Sequence, residues 1–425
     1  MKKCFYPVLQ REYLETNNRI DHGRNLAYNF RVRSIYGRFM NNLLLNRLVR
    51  LPKKKSYFLF GPRGAGKSTL LRSIYADKKP YVFDLLDVEL VDELSLHPKR
   101  FVERIGPDIS LVIVDEVQKL PRLLDYVHAL IEERHIQFVL TGSSARRLKQ
   151  KGTNLLAGRA LVRDLYPFSA FELKERFNLQ MALERGGLPE SYLAHSDRDS
   201  ADYLRAYALT YLEKEIQAEQ WVRNLNPFRR FLIVAAQMNG KIINRAAIAR
   251  DIGVDDMTVQ SYYDILEDTY IGFFLPTFHH LSRKQMRKAP KFYLIDPGIK
   301  RALERTTKVP LLPQTSAYGD AFEHWVVLEF VKLSHYFELD WELFYLQTKD
   351  GSEIDLVIKR PGQPILLVEI KSKDRVTESD AKTLEHLGAD FKEPVEKWLL
   401  SQDPLTQSFG TTRAIHWKDA LQSII

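Results

Sequence analysis

The sequence predicts an α/β protein. It expects a parallel sheet buried between helices, then a helical segment, a helix-turn-helix unit and a second, smaller α/β module. Three observations carry this. Short apolar runs alternate with helical patterns between residues 56 and 166, as in sheets covered on both faces. A glycine-rich loop follows the first run and opens a helix. Near the C-terminus, two strand-like runs bring Asp355, Glu369 and Lys371 within reach of one another.

The chain has 425 residues, enough for two to four domains at roughly 100–200 residues each. Its 45% apolar and 28% charged content excludes a mainly disordered chain or a collagen-like repeat. No run approaches the ~20 apolar residues of a bilayer span, which argues against a membrane bundle or membrane partner. The start, MKKCFYPVLQ, has two lysines but no apolar stretch after them, so no secretory signal is expected. Cys4 is the single cysteine, which excludes an internal disulfide and a cysteine-built zinc site. The eleven histidines show no HExxH spacing, and a cytoplasmic location is expected.

Net charge is +9 and unevenly placed. Residues 1–55 carry thirteen Lys/Arg against three Asp/Glu, and Arg283–Lys291 (RKQMRKAPK) holds five cations and no acid. Such clusters suit a polyanion, so nucleic acid is the expected partner, DNA favoured.

Five expected strands lie in SYFLF (56–60), YVFDLL (81–86), LVIVDE (111–116), QFVLTG (137–142) and ALVRDLY (160–166). Gly61, Pro62, Arg63, Gly64, Ala65, Gly66, Lys67, Ser68 and Thr69 fit G-x-x-x-x-G-K-[ST] directly after the first strand and before a helical stretch. That pattern cradles phosphates. Glycines let backbone N–H groups point at the β-phosphate, and the helix N-terminus adds a positive dipole end. Lys67 is expected at the β/γ-phosphates and the Ser68 hydroxyl on Mg²⁺, so ATP and Mg²⁺ are the expected cofactors. Asp115 ends a buried strand, where ligands bind in α/β sheets, and is expected to hold Mg²⁺. Glu116 is the expected base for an attacking water.

The order of these strands resembles the additional-strand class of P-loop ATPases and, within it, the AAA+ branch. That resemblance implies a sensor role for Thr141 beside the γ-phosphate. It also implies an arginine finger in the stretch after it, with Arg159, Arg146 and Arg147 as candidates, and possible homo-oligomers.

From Pro167 to Trp221 the pattern is helical. From 227 to about 300, GKIINRAAIARDIGVDDMTVQSYYDILEDTY and two strand-like runs read as a winged helix-turn-helix. Asp255 or Asp256 caps its second helix, and Thr258, Gln260 and Ser261 near the helix start are the groups expected to face DNA. That helix is poor in Lys/Arg and rich in acids, which weakens the expectation of direct base reading.

In the C-terminal module, Asp355 lies in IDLVI and Glu369 and Lys371 in ILLVEIKSK. The two acids are fourteen positions apart, which suits paired strands, and an acid-x-lysine spacing puts both groups on one face. The acids can hold Mg²⁺ while the lysine activates water or steadies phosphate charge. Glu323, on the preceding helix, is a further carboxylate. These residues resemble the PD-(D/E)xK restriction-endonuclease-like family.

The order of parts is similar to a family of bacterial and archaeal AAA-type ATPases with a winged-helix segment and a C-terminal nuclease-like domain. The likeness covers about residues 40–400. The expected boundaries are 1–40 (basic segment), 41–166 (ATPase core), 167–226 (lid-like), 227–305 (winged helix) and 306–425 (nuclease-like). Two functions are weighed: a Mg²⁺-dependent ATPase coupled to a nuclease-like domain, or a non-cleaving ATP-dependent switch that binds a partner protein. A phosphoryl transferase is a third reading, disfavoured because adjacent Asp115 and Glu116 suit water as the nucleophile.

Overall fold

The structure, a computed structural model, describes residues 45–144, 155–208, 224–279 and 289–425. The basic segment 1–40, Arg146, Arg147, residues 209–221 of the helical segment and the cations of 283–288 lie outside the described residues. By its contacts Arg47–Ile425 forms one unit, distinct from Met1–Asn46.

The first layer is a five-stranded parallel sheet of β1 (Ser56–Phe60), β2 (Tyr81–Asp84), β3 (Leu111–Asp115), β4 (Gln137–Gly142) and β5 (Ala160–Asp164). Helices α1 (Lys67–Ile74), α2 (Val88–Leu96) and α3 (Leu123–Arg134) connect them. The order across the sheet is β2-β3-β4-β1-β5. The strand standing between β1 and β3 is therefore β4, the strand of Thr141. YVFD, which lies between the P-loop and Asp115 in sequence, sits at the sheet edge. The central strands are nearly all buried. The two edge strands are half-covered, which explains why Val82 and Val162 remain exposed.

After the sheet come α4 (Leu179–Arg185) and α5 (Asp197–Ala206), with short helical turns around them. Next are α6 (Leu225–Gln237), α7 (Arg245–Ile252) and α8 (Asp256–Asp268). Gly253, at φ 76°, ends α7 in the left-handed conformation. The Asp255 side chain accepts from Thr258 N and so caps α8, as one of the two candidates was expected to do. An antiparallel pair follows, β6 (Gly272–Leu275) with β7 (Lys291–Leu294). Then comes α9 (Pro297–Leu303).

The stretches GGLPESYL (186–193) and FYLIDPGIKRAL (292–303) meet at Asp296. Its buried carboxylate accepts from Gly187 N (2.6 Å), Leu188 N (3.1 Å) and Ile299 N (3.1 Å). Burial raises this carboxyl, against the opposing N–H groups of Gly187 and Ile299. A Cβ on Gly186 would lie 1.9 Å from Asp296 Oδ1, so the approach requires glycine there.

The C-terminal module opens with α10 (Ser316–Tyr336), 21 residues long and buried on nearly every face. A helix apolar all round belongs in an interior, and α10 packs between the rest of its module and the elements before it. Leu328, Val331 and Tyr336 join the core built by the helices of residues 225–303. Its fully buried Glu329 and Lys332 pair at 3.0 Å. They also hold the chain after β5, through Ala170 N (3.0 Å) and the Phe168 carbonyl (2.9 Å).

Behind it lies a mixed sheet of β8 (Glu342–Gln347), β9 (Glu353–Lys359), β10 (Ile365–Ile370), β11 (Val395–Ser401), β12 (Gln407–Phe409) and β13 (Thr412–His416), with α11 (Glu378–Gly388) and α12 (Trp417–Gln422). The order is β12-β13-β11-β10-β9-β8. β8, β9 and β10 run antiparallel in turn, whereas β10, β11 and β13 are parallel. The last twenty-five residues, to which no role attaches from sequence, thus close this sheet. No helix among the described residues is long and apolar enough to cross a membrane.

Candidate functional site

Two polar sites stand out, one at the C-terminal end of the parallel sheet and one in the mixed sheet. At the first, the loop Gly61–Gly66 turns between β1 and α1. Gly61 (φ 147°) passes so close to the next strand that a Cβ would lie 2.1 Å from the Leu165 carbonyl oxygen. No other residue fits there. Lys67 is buried, and its Nζ donates to the carbonyls of Gly61 (2.7 Å) and Pro62 (3.1 Å), inside the loop's arc.

The sheet order brings the ends of β1, β3 and β4 side by side, and their polar groups join. Ser68 Oγ donates to Asp115 Oδ2 at 3.0 Å. Thr141 Oγ1 donates to the other oxygen of Asp115 and accepts from Glu116 N (3.1 Å). Glu116 sits at φ 59°, a conformation non-glycine residues rarely adopt. Its carboxylate accepts from Gln118 Nε2 (2.5 Å) and Ser143 Oγ (3.1 Å).

Arg159 is not brought to this group. It precedes β5 at the opposite end of the sheet, where Ala160 pairs with Ser56, and it forms an ion pair with Glu132.

Arg47 is a residue sequence reading missed. Its guanidinium reaches the Ala65 carbonyl inside the phosphate loop (2.8 Å), the Tyr166 carbonyl (2.5 Å), Glu172 (3.0 Å) and the Tyr336 hydroxyl (3.4 Å). Burial works against its charge, and Glu172 and Tyr336 more than restore it, raising its pKa. Within a basic stretch this arginine carries no distinguishing local signal. The helical segment also touches the loop, through Tyr207 Oη on the Arg63 carbonyl (3.1 Å).

At the second site, the β9–β10 register runs on to place Asp355 opposite Glu369. Asp355 Oδ2 accepts from Ile370 N (2.7 Å), and Lys371 Nζ meets Glu369 Oε1 (2.5 Å). Glu369 Oε2 is buried with no hydrogen-bond partner among the described residues. Glu323, from α10, accepts from Tyr293 Oη (2.8 Å).

Burial, and then the charge of Asp355, push Glu369 up to about 8 and Glu323 up to about 7. Asp355 is raised by burial against the opposing pull of Lys371 and Lys291. Lys371 is itself raised, since Glu369 and Asp355 outweigh its desolvation. Glu323, Asp355, Glu369 and Lys371 are therefore one electrostatic cluster. Among the described residues, however, no group of three or more His, Cys, Asp or Glu is close enough to hold a metal ion together.

Residues 53–174 match the family described as an AAA domain. This segment is an AAA-type P-loop domain. Residues 176–309 and 318–419 match two families described as domains of unknown function, DUF8612 and DUF4143. An uncharacterised protein of Mycobacterium tuberculosis is 28% identical over 310 residues, covering 72% of this chain and 68% of its own. One of Methanocaldococcus jannaschii is 22% identical, covering 89% and 86%. Among solved structures, the replication initiator DnaA bound to AMPPCP and single-stranded DNA overlays 59% of this chain and 90% of its own, at 16% identity and a TM-score of 0.26. Domain III of the Thermotoga maritima DnaA overlays 59% and 94%, at 18% identity and a TM-score of 0.22. Overlays this loose carry no argument about the present chain, whose fold class rests on its own sheet order and the AAA-domain match.

Proposed function

We propose that the protein is a Mg²⁺-dependent ATPase whose nucleotide cycle is coupled to a C-terminal nuclease-like module acting on DNA. The observation that carries the first half is the chain of hydrogen bonds Ser68–Asp115–Thr141–Glu116 across three neighbouring strand ends. It gathers the groups ATP hydrolysis needs beside a phosphate-binding loop.

Ser68 and Asp115 form an all-oxygen pair suited to a hard cation, and they would hold Mg²⁺. That ion supplies charge neutralisation on the phosphates when bound. Lys67 exchanges its loop carbonyls for phosphate oxygens. Glu116 orients the water that attacks the γ-phosphorus, and ADP departs. Thr141 keeps Asp115 and the Glu116 backbone in register. Arg159 would serve as an arginine finger only from a neighbouring copy, since it stands at the far end of its own sheet.

For the second half, buried Glu369 Oε2 without a partner and raised carboxyls at Glu323 and Glu369 are what a divalent cation relieves. Asp355 and Glu369 would hold it. Lys371, close by and charged, would steady a phosphodiester. The three-helix and β6–β7 unit supports a winged-helix reading, and the +9 net charge supports a nucleic-acid partner. α10 spans from Glu323 to Tyr336 beside Arg47, about 20 Å at ~1.5 Å per residue. It is a rigid element by which the P-loop state reaches the carboxylates.

A second reading, a non-cleaving switch that docks a partner, is favoured by one observation. The carboxylates as they stand are already matched by lysines and form no three-ligand cation site.

One paired assay separates the readings. Phosphate release and DNA cleavage are followed together in wild type, Lys67→Ala and Asp355→Ala. The coupled-nuclease reading expects Lys67→Ala to lose hydrolysis, and Asp355→Ala to lose cleavage while keeping hydrolysis. Hydrolysis in wild type and Asp355→Ala, with no nucleic acid cut by any of the three, leaves the switch.

A further inference from the structure

Strand β7 sends two side chains into the carboxylate cluster of the C-terminal module. Lys291 and Tyr293 are two residues apart and share a face of the strand. Tyr293 Oη donates to Glu323. Lys291, 3% exposed, forms an ion pair with Glu353, stands 3.9 Å from Glu323 Oε1 and lies over the Tyr345 ring. Burial disfavours its charge, yet Glu323, Glu353 and Asp355 together raise its pKa. The ammonium thus stays charged, held by Glu323, Glu353 and the Tyr345 ring of the C-terminal module. It lines a pocket of about 380 Å³ together with Lys241, Glu323, Gln347 and Glu353.

An ammonium among carboxylates does electrostatically what a divalent cation does there, with half the charge and a covalent tether. Glu369, 5% exposed, belongs to the same cluster through Asp355 and Glu323, and its partnerless oxygen is where a cation would gain most. Two cations sharing one acid cluster repel each other across a low-dielectric interior.

We propose that Lys291 is a built-in counter-cation of this site. It holds Glu323 and Glu353 until a divalent cation of the Mg²⁺ or Mn²⁺ class binds, and is then displaced. This rests on the reading of Asp355 and Glu369 as cation ligands. By linkage, cation loading then loosens β7 from the C-terminal module, so that the helix-hairpin unit senses the cation. Lys291 is a positioning residue.

The test titrates the full chain, free of nucleotide, with Mn²⁺ alone and counts bound ion by electron paramagnetic resonance. Glu369→Gln defines the site-specific component. Lys291→Gln is expected to tighten that component about tenfold, the effect of removing one unit charge several ångströms from a divalent ion. Lys291→Arg is expected to keep the wild-type affinity. In wild type, Mn²⁺ is expected to speed amide hydrogen exchange over residues 291–294. That second measurement decides the matter if Lys291→Gln does not fold. Unchanged or weaker binding in a folded Lys291→Gln protein, or unchanged exchange in wild type under saturating Mn²⁺, overturns the proposal while leaving the cation site standing. No Glu369-dependent binding in any protein overturns the cation reading and this proposal with it.

Discussion

Replacing Arg47 by methionine keeps much of its volume and removes its charge. The guanidinium is 5% exposed and its partner Glu172 is fully buried. In the variant, Glu172 still accepts from Leu48 N (2.8 Å) and Ser169 N (3.0 Å) but has lost its counter-charge. Breaking a buried ion pair from one side costs about 3–5 kcal/mol. The Ala65 and Tyr166 carbonyls lose a donor as well, so we take about 4 kcal/mol as a working minimum. That is a large part of the roughly 5–15 kcal/mol by which domains are stable. At ~2.1 cal/mol/K per residue over the whole unit Arg47–Ile425, each kcal/mol is worth about 1.3 °C, so the melting temperature should fall by roughly 5 °C. A thermal melt followed by circular dichroism measures it. Adding Glu172→Gln to Arg47→Met should recover part of the loss, because the uncompensated charge goes. Nucleotide affinity should fall about tenfold in the single variant, since Ala65 lies inside the phosphate loop and loses its anchor. A melting temperature within 2 °C or so of wild type, or a double variant no better than the single one, refutes this account of the buried pair.

Other outcomes follow from the same geometry. Thr141→Val removes the hydroxyl joining Asp115 to the Glu116 amide, so phosphate release should slow by about 10–100-fold with nucleotide affinity nearly unchanged. Equal loss in both would assign Thr141 to binding instead. Gly61→Ala forces a Cβ onto the Leu165 carbonyl at 2.1 Å and should abolish nucleotide binding or cost roughly 2 kcal/mol or more, read by calorimetry and melting. His324 is fully buried with Nε2 donating to the Leu294 carbonyl (2.6 Å), and burial lowers its pKa from 6.5 to about 3. The unfolded chain takes up a proton below pH 6.5 that the folded one refuses. Stability present above 6.5 is thus lost as pH falls toward 3, by up to about 5 kcal/mol. Melts across that range should show a shallower acid limb in His324→Gln, and an unchanged limb would rule His324 out as a cause.

The phosphate loop was legible because its chemistry is contiguous. Glycines, Lys67 and Ser68 follow one strand and open one helix, and each local preference agrees with the site. Asp355, Glu369 and Lys371 were legible for a similar reason, since the period of a strand fixes which residues share a face. Strand order was less so. The strand beside both β1 and β3 is the fourth in sequence, and nothing in the run of residues says where a parallel strand inserts.

Pairing across distance was not legible at all. Arg47 and Glu172 are 125 residues apart, Asp296 and Gly187 are 109, and Lys291 and Glu353 are 62. Each of the charged side chains among them looks in sequence like an ordinary surface charge. Which of them meet inside the protein depends on how helices and sheets stack, and burial then turns those meetings into strong interactions. The sequence alone determined which residues form the phosphate loop and which acids and lysine share a strand face. Packing decided which charges surround it, because the dielectric that makes a charge matter exists only once the chain has folded.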